Sequence, residues 1–259
     1  MNILHKIVDR KREEIILAKA QKSIAELKEM PLYDRVPLSM SQRIRAPHSS
    51  GIIAEFKRHS PSKKWINKTA KIVSTVLGYE EAGVAGSSVL TDEHFFKGTL
   101  LDLMEVKKAV KIPLLRKDFI VDPYQVYEAR AYGADTILLI ASILTPGEVA
   151  SLTELTHELG MEVLLELYEE FELEHVHSDV DMVGINNRSL ITFEVDKERS
   201  ARMVDKLNVK FVKIAESGID SPEMINYFRG VGFDGFLIGE NFMKSRNPAQ
   251  ACKNFIQSI

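Results

Sequence analysis

Thr136-Ile137-Leu138-Leu139-Ile140-Ala141, an amphipathic stretch Pro146–Leu159, Gly160, and then Glu162-Val163-Leu164-Leu165-Glu166-Leu167 read in order as strand, helix, stop and strand. The two flanking runs are short and mostly apolar at both parities, the pattern of a strand buried on both faces. Glycine after the amphipathic stretch supplies the left-handed residue with which helices commonly end. Working outward, the same texture recurs. Apolar runs fall at Gly51–Phe56, Ser87–Leu90, Pro113–Arg116, Met182–Ile185, Phe211–Ala215 and Gly235–Ile238, which with the first two make eight. Helical patterns separate them, among them Thr69–Ala82, Leu100–Ala109, Tyr124–Tyr132 and Ser221–Arg229, and Gly83, Gly133 and Gly232 stand where helices should stop. Parallel strands need a crossover of this length. Eight such units with no break in composition predict an α/β fold, a single closed (β/α)8 TIM barrel spanning residues 1–259.

Residues 1–48 stand outside that count and read as an N-terminal helical extension. Ile3, Leu4, Ile7, Val8, Ile15, Ile16 and Leu27 largely fit one helical face over residues 1–30. Asn2 is a candidate N-cap. Lys6, Lys11, Glu13 and Glu14 are expected on the remaining, solvated surface, and Pro31, Pro37 and Pro47 punctuate the less regular stretch after residue 30.

Of the 259 residues, 45% are apolar and 27% charged, which fits a soluble globular chain with a self-sufficient core. A formal net charge of -3 gives no basic field to attract nucleic acid or an anionic membrane. Basic residues at a site must therefore be a local arrangement. Cys252 is the single cysteine, so no intrachain disulfide can form, and a reducing cytosol is expected. Met1–Lys6 does not resemble a secretory leader. No run of about 18 apolar residues exists to span a bilayer. The expected partner is a small molecule.

Barrels of this type carry their chemistry at the C-terminal ends of the strands. There the chain offers Glu55, Lys57 and Ser60 after the first strand, Arg116, Lys117 and Asp118 after the third, and Glu166 at the fifth. The sixth ends in Asn186, Asn187 and Arg188, the seventh in Glu216, Ser217 and Gly218, the eighth in Gly239 and Glu240. Side chains alternate along a strand, so Glu55 and Lys57 face the same way. A lone charge at a strand end is ordinarily solvated rim. Glu55, Lys57, Lys117 and Glu166 converge from three strands on one mouth, however, and buried charges are costly unless they pair. Glycine-bearing turns after strands seven and eight, Ser217-Gly218 and Ile238-Gly239-Glu240-Asn241, let backbone N–H groups approach a phosphate.

Other residues carry less. His94, His157, His175 and His177 lack metal-ligand spacing and read as surface or packing residues. Cys252 lies in the last helix, far from any strand end, and Trp65 reads equally as ligand cover or packing. There is no P-loop or dinucleotide fingerprint.

Taken together, Ile53-Ala54-Glu55-Phe56-Lys57-Arg58-His59-Ser60-Pro61-Ser62-Lys63, Leu115-Arg116-Lys117-Asp118-Phe119-Ile120, Gly184-Ile185-Asn186-Asn187-Arg188-Ser189-Leu190 and Glu216-Ser217-Gly218-Ile219 resemble the indole-3-glycerol phosphate synthases. Ser88-Val89-Leu90-Thr91-Asp92 and Leu237-Ile238-Gly239-Glu240 match further turns, and the leading helix is also a family feature, so the resemblance spans the chain. It departs at Lys64, where the family usually has glycine, at Ala215, often serine, and at Tyr168, where histidine is frequent. The resemblance implies a carboxy-lyase of tryptophan biosynthesis that turns 1-(2-carboxyphenylamino)-1-deoxyribulose 5-phosphate into indole-3-glycerol phosphate without metal or organic cofactor. It assigns Lys117 as the general acid on the substrate ketone, and Glu166 and Lys57 to later proton transfers. It assigns Glu55 and Asn187 to positioning, Glu216 and Ser217 to the pocket lining, Ser60, Gly218, Gly239 and Glu240 to the phosphate, and Arg188 to the anthranilate side.

Two other readings compete. A phosphoribosylanthranilate isomerase would need a cysteine near strand one and an aspartate near strand six, where this chain has Glu55 and Asn187. A phosphate-binding barrel without activity would have no need of Glu55, Lys57, Lys117 and Glu166 together.

Overall fold

The computed structural model describes residues 3–188 and 195–259. Asn2, the candidate N-cap, and Ser189 and Leu190 of the sixth-strand motif lie outside the described residues.

Eight strands form the barrel: β1 (Ile52–Phe56), β2 (Gly86–Leu90), β3 (Leu114–Lys117), β4 (Thr136–Ile140), β5 (Glu162–Leu167), β6 (Met182–Asn186), β7 (Val212–Glu216) and β8 (Gly235–Ile238). All pairings are parallel between neighbours in sequence, and β8 closes the ring on β1 with Ile52 opposite Phe236 and Ala54 opposite Ile238. The expected α/β fold, a single (β/α)8 TIM barrel, is the observed one, and each strand lies within a residue or two of its apolar run.

Three helices precede the barrel: α1 (Ile3–Gln21), α2 (Ile24–Lys28) and α3 (Met40–Arg45). The crossovers then follow in order, α4 (Ile72–Glu81), α5 (Glu93–Phe96), α6 (Leu100–Ala109), α7 (Pro123–Ala131), α8 (Pro146–Glu158), α9 (Lys197–Asp205), α10 (Pro222–Gly230), α11 (Glu240–Met243) and α12 (Pro248–Ile256). Gly83, Gly133, Gly160 and Gly232, the four stop signals, all adopt positive φ, between 73° and 102°. Between β5 and β6 the connection holds a 3-10 helix, Glu170–His175, in place of an α-helix. The Glu172 carboxylate accepts the Tyr168 and Glu169 N–H groups and the Ser142 hydroxyl, which holds that turn against the strand end.

Strand alternation divides the core. Ile53, Leu115, Leu138, Leu164, Met182, Ile214 and Leu237 form an inner plug, and the opposite parity packs outward against the helices. One step up the same inward parity stand Glu55, Lys117, Ile140, Glu166, Gly184, Glu216 and Gly239. The layer above the plug is therefore where ionisable groups meet.

The extension differs from a single helix over residues 1–30. Ser23 forms a capping box with Glu26, so α1 ends at Gln21 and α2 starts afresh. Helix α3 seals the lower end of the barrel: Met40 and Ile44 join the inner plug, and Met40 Sδ occupies the space a Cβ on Gly86 would need. The Glu162 carboxylate accepts both hydroxyls and both amides offered by Ser39, Met40 and Ser41. Lys11, expected on the solvated face, is 5% exposed. It shares the Ile7–Lys11–Ile15 stripe that α1 turns inward, and a lysine in such a stripe requires a buried counter-charge.

Candidate active site

Lys117 occupies the centre of the mouth. Its Nζ lies 2.9 Å from Glu166 Oε2 and 3.6 Å from Glu216 Oε2. Asn186 Nδ2 donates to the other Glu166 oxygen at 3.1 Å. Glu216 fits because Gly184 faces it without a side chain: a Cβ there would lie 2.0 Å from Glu216 Oε1. Beside this triad Lys57 Nζ pairs with Glu55 Oε1 at 2.6 Å. Gly239 gives Glu55 its room in the same way, since a Cβ would lie 2.5 Å from that oxygen.

Two carboxyl groups around one ammonium cannot titrate independently. Burial penalises the charged form of Lys117, but attraction to Glu166, Glu216 and Glu55 outweighs it and holds the pKa above the ordinary lysine value. Burial also pushes Glu166 upward, yet the adjacent Lys117 charge and hydrogen bonds from Lys117 and Asn186 bring it below the usual carboxylate range. Burial and the Glu166 charge drive Glu216 well above its ordinary value, more than Lys117 pulls it down. Of the two carboxyls beside the lysine, Glu166 is thus the more acidic and Glu216 the more basic.

The cavity over these groups has two lobes. One, of about 170 Å³, is bounded by Ser217, Gly218, Gly239, Glu240, Asn241 and Lys244. The other, of about 180 Å³, is walled by Leu4, Ile7, Phe96, Phe119, Leu138 and Ile140, with Glu166 and Asn186 at its floor. Glu55, Lys57, Lys117, Arg188, Ser217 and Glu240 line both. Ser217 and Gly218 are both left-handed, at φ 67° and 71°, so the chain reverses tightly under the first lobe. That conformation costs serine more than glycine and is typical of functional turns.

Eleven of the twelve candidate residues line this cavity. Ser60 lies in the apolar lobe, on a hairpin of His59–Ser60 with Lys64–Trp65, and not in the lobe of Gly218 and Gly239. Glu240 lies 3.6 Å from Lys63 Nζ and 3.9 Å from Arg188 Nη2. The twelfth, Asn187, is fully buried and points away: its Nδ2 donates to the Ser217 carbonyl at 2.9 Å. Period-two alternation puts Asn186, in phase with Met182 and Gly184, into the mouth and its neighbour outside.

Sequence reasoning gave no role to Asn186, Phe96, Phe119 or Arg199. Arg199 stacks 3.6 Å from the Tyr168 ring centroid and donates to the Asn186 carbonyl at 2.7 Å, bracing the strand end. Parity alone could have found Asn186.

The family profile described as indole-3-glycerol phosphate synthase matches residues 4–255. The chain belongs to this family. An indole-3-glycerol phosphate synthase from Bacteroides thetaiotaomicron is 46% identical over all 259 residues of this chain and 99% of its own length. One from Salinibacter ruber is 42% identical, covering 97% of this chain and 94% of the relative. In shape, the tryptophan synthase A-subunit of Pyrococcus furiosus matches with a TM-score of 0.61 at 14% identity, over 81% of this chain and 97% of that one. The tryptophan synthase alpha chain of Legionella pneumophila matches at 0.62 and 12%, over 85% and 93%. At such identity the likeness concerns the fold alone. Among the described residues, no helix is long and apolar enough to cross a membrane.

Proposed function

We propose that the chain closes the indole ring, converting 1-(2-carboxyphenylamino)-1-deoxyribulose 5-phosphate to indole-3-glycerol phosphate with loss of carbon dioxide and water. The observation that carries this reading is Lys117, held by Glu166 and Glu216 where a glycine-bounded polar lobe meets an apolar aromatic one. A phosphorylated sugar chain suits the first lobe and an aryl ring the second, which brings the ketone of such a substrate to the lysine.

In this reading the ring carbon bearing the carboxylate attacks the ketone carbon while Lys117 Nζ donates a proton to the ketone oxygen. Loss of carbon dioxide returns the bonding electrons to the ring. The new hydroxyl then leaves as water, protonated by Lys57, while Glu166 removes the proton whose loss completes the pyrrole. Glu216, whose burial beside Glu166 raises its pKa, stands 3.6 Å from Lys117 and is placed to return a proton after the first step. Glu55 sets Lys57 through their 2.6 Å pair. Asn186 orients Glu166, and Asn187 and Ser217 shape the turn beside it. Ser217, Gly218, Gly239 and Glu240 hold the phosphate through backbone donors, while Ser60 stands with its hairpin on the aryl side. Arg188 meets the anthranilate carboxylate. The sequence of bonds needs no metal or organic cofactor.

Residues 1–259 act as one domain in this reading, with 1–48 as its extension. The partner is this small molecule and not a nucleic acid, and the setting is the cytosol. Mixing the protein with the substrate should generate indole fluorescence. Lys117→Ala should lower the rate by about 10²–10⁴ at unchanged circular dichroism. No indole product from the parent, or a near-parent kcat in the variant, would overturn the assignment.

A further inference from the structure

Lys11 lies outside the cavity, yet it ties α1 to the site. Its Nζ meets Asp92 Oδ2 and Asp118 Oδ1, each at 3.0 Å, and Glu14 Oε2 at 2.9 Å. Both aspartates are almost completely buried. Asp118 follows Lys117 directly, and its Oδ1 accepts the Phe119 N–H at 2.8 Å. Asp92 caps α5, accepting from the amides of Phe95 and Phe96 at 2.7 and 3.2 Å. Phe96 and Phe119 face each other with ring centroids 6.0 Å apart and wall the apolar lobe. On α1 itself Ile7, one turn before Lys11, forms the opposite wall with Leu4.

One ammonium thus joins three walls of a single lobe, and none of its partners bounds the glycine lobe. Resting on the ring-closure reading, we propose that Lys11 is a positioning residue for the aryl half of the substrate. It sets Phe96 through the Asp92 cap, Phe119 through Asp118, and α1 across both. Charge supports the geometry. Burial disfavours the Lys11 ammonium, but Asp118, Asp92 and Glu14 together hold its pKa above the ordinary lysine value. Removing Lys11 takes the counter-charge from Asp92 and leaves Asp118 to Arg116 alone, so the walls are expected to move.

The test uses the whole protein and two probes. Anthranilate reports on the aryl half and inorganic phosphate on the glycine lobe, each as an inhibitor of turnover and each titrated directly. Lys11→Met keeps the stem and removes the charge. It should weaken anthranilate by about tenfold or more and lower kcat/KM by roughly 10- to 100-fold, since a displacement near 1 Å has that scale. Phosphate affinity should stay within about twofold. Lys11→Arg should restore most of the loss, because a guanidinium can span both aspartates.

Glu162→Gln, which loosens α3 at the opposite end, should lower Tm without touching anthranilate affinity. Equal weakening of both probes, or of neither, overturns the proposal. If Lys11→Met does not fold, Asp92→Asn carries the same comparison, with selective loss of anthranilate expected and its absence refuting. A parent protein that binds both probes but forms no indole would sink the reaction reading, and the anthranilate comparison would still decide about Lys11.

Discussion

Gly184→Ala inserts one methyl group into the centre of the catalytic layer. The new Cβ would stand 2.0 Å from Glu216 Oε1 and 3.3 Å from Leu164 Cδ1. Ordinary contact begins at 3.4 Å, so Glu216 Oε1 must retreat by about 1.4 Å and its carboxyl carbon, at 3.1 Å, by about 0.3 Å, which turns the carboxyl out of its place, the leucine needing almost no movement. Overpacking of this kind costs about 1–3 kcal/mol, which lowers Tm by roughly 2–12 °C in a domain of this size. The larger effect falls on chemistry. A carboxyl turned in this way loses its 3.6 Å contact with Lys117. Misplacement of about 1 Å costs on the order of 10²-fold in rate. Steady-state indole formation with a parallel thermal melt measures both. Gly184→Ala/Glu216→Asp then separates them: shortening the side chain by about 1.5 Å makes space for the methyl, so Tm should recover. The rate should not, because the carboxyl no longer reaches Lys117. A single variant with kcat/KM within about threefold of the parent would refute the placement of Glu216.

Three further outcomes are expected. Glu166→Gln should lower kcat by at least about 10²-fold with little change in KM and a displaced pH–rate profile, and an unchanged profile would remove Glu166 from the chemistry. Asp118, despite burial, is held below the usual range by Lys11 and Arg116, so its stabilisation is present above about pH 4 and is lost as pH falls through its folded value. Asp118→Asn should therefore flatten the acid limb of unfolding free energy against pH, and an unaltered slope there would contradict the assignment. Lys64 holds φ at 55°, a left-handed conformation that costs a side chain about 1–2 kcal/mol. Lys64→Gly should raise Tm by about 1–3 °C after its greater chain entropy is counted, and a fall in Tm would show that the lysine makes up its own strain.

The strands were legible because burial on both faces leaves a short apolar run at every one, and the four helix-ending glycines repeated the phase independently. The 3-10 connection after β5 was not, since what shortens it is the Glu172 carboxylate folded back under the strand end, a tertiary contact. At the mouth, Glu55, Lys57, Lys117 and Glu166 could be read from position alone. The sixth-strand motif points to Asn187, whereas parity, which the inward Gly184 already fixes, points to Asn186. Charge alone puts Lys11 on the solvated face, although it lies four residues from both Ile7 and Ile15. Its two buried counter-charges, Asp92 and Asp118, are far along the chain, and no local window contains them. Ser60 was placed near the glycines because both follow strand ends, but the hairpin that carries it bends over the other lobe.

The extension grips the barrel at both ends, α3 through Glu162 below and α1 through Lys11 above. Arg35, between them, reaches Asp135 at 2.5 Å, and Lys19 reaches Asp122 at 2.8 Å. During synthesis this segment leaves the ribosome well before its anchors, every one of which lies some 80 to 120 residues downstream. Contacts so distant along the chain require costly loop closure before they reward it. The extension must therefore wait for strands two to five, and the aromatic wall of the site can close against α1 only after Asp92 and Asp118 have been made.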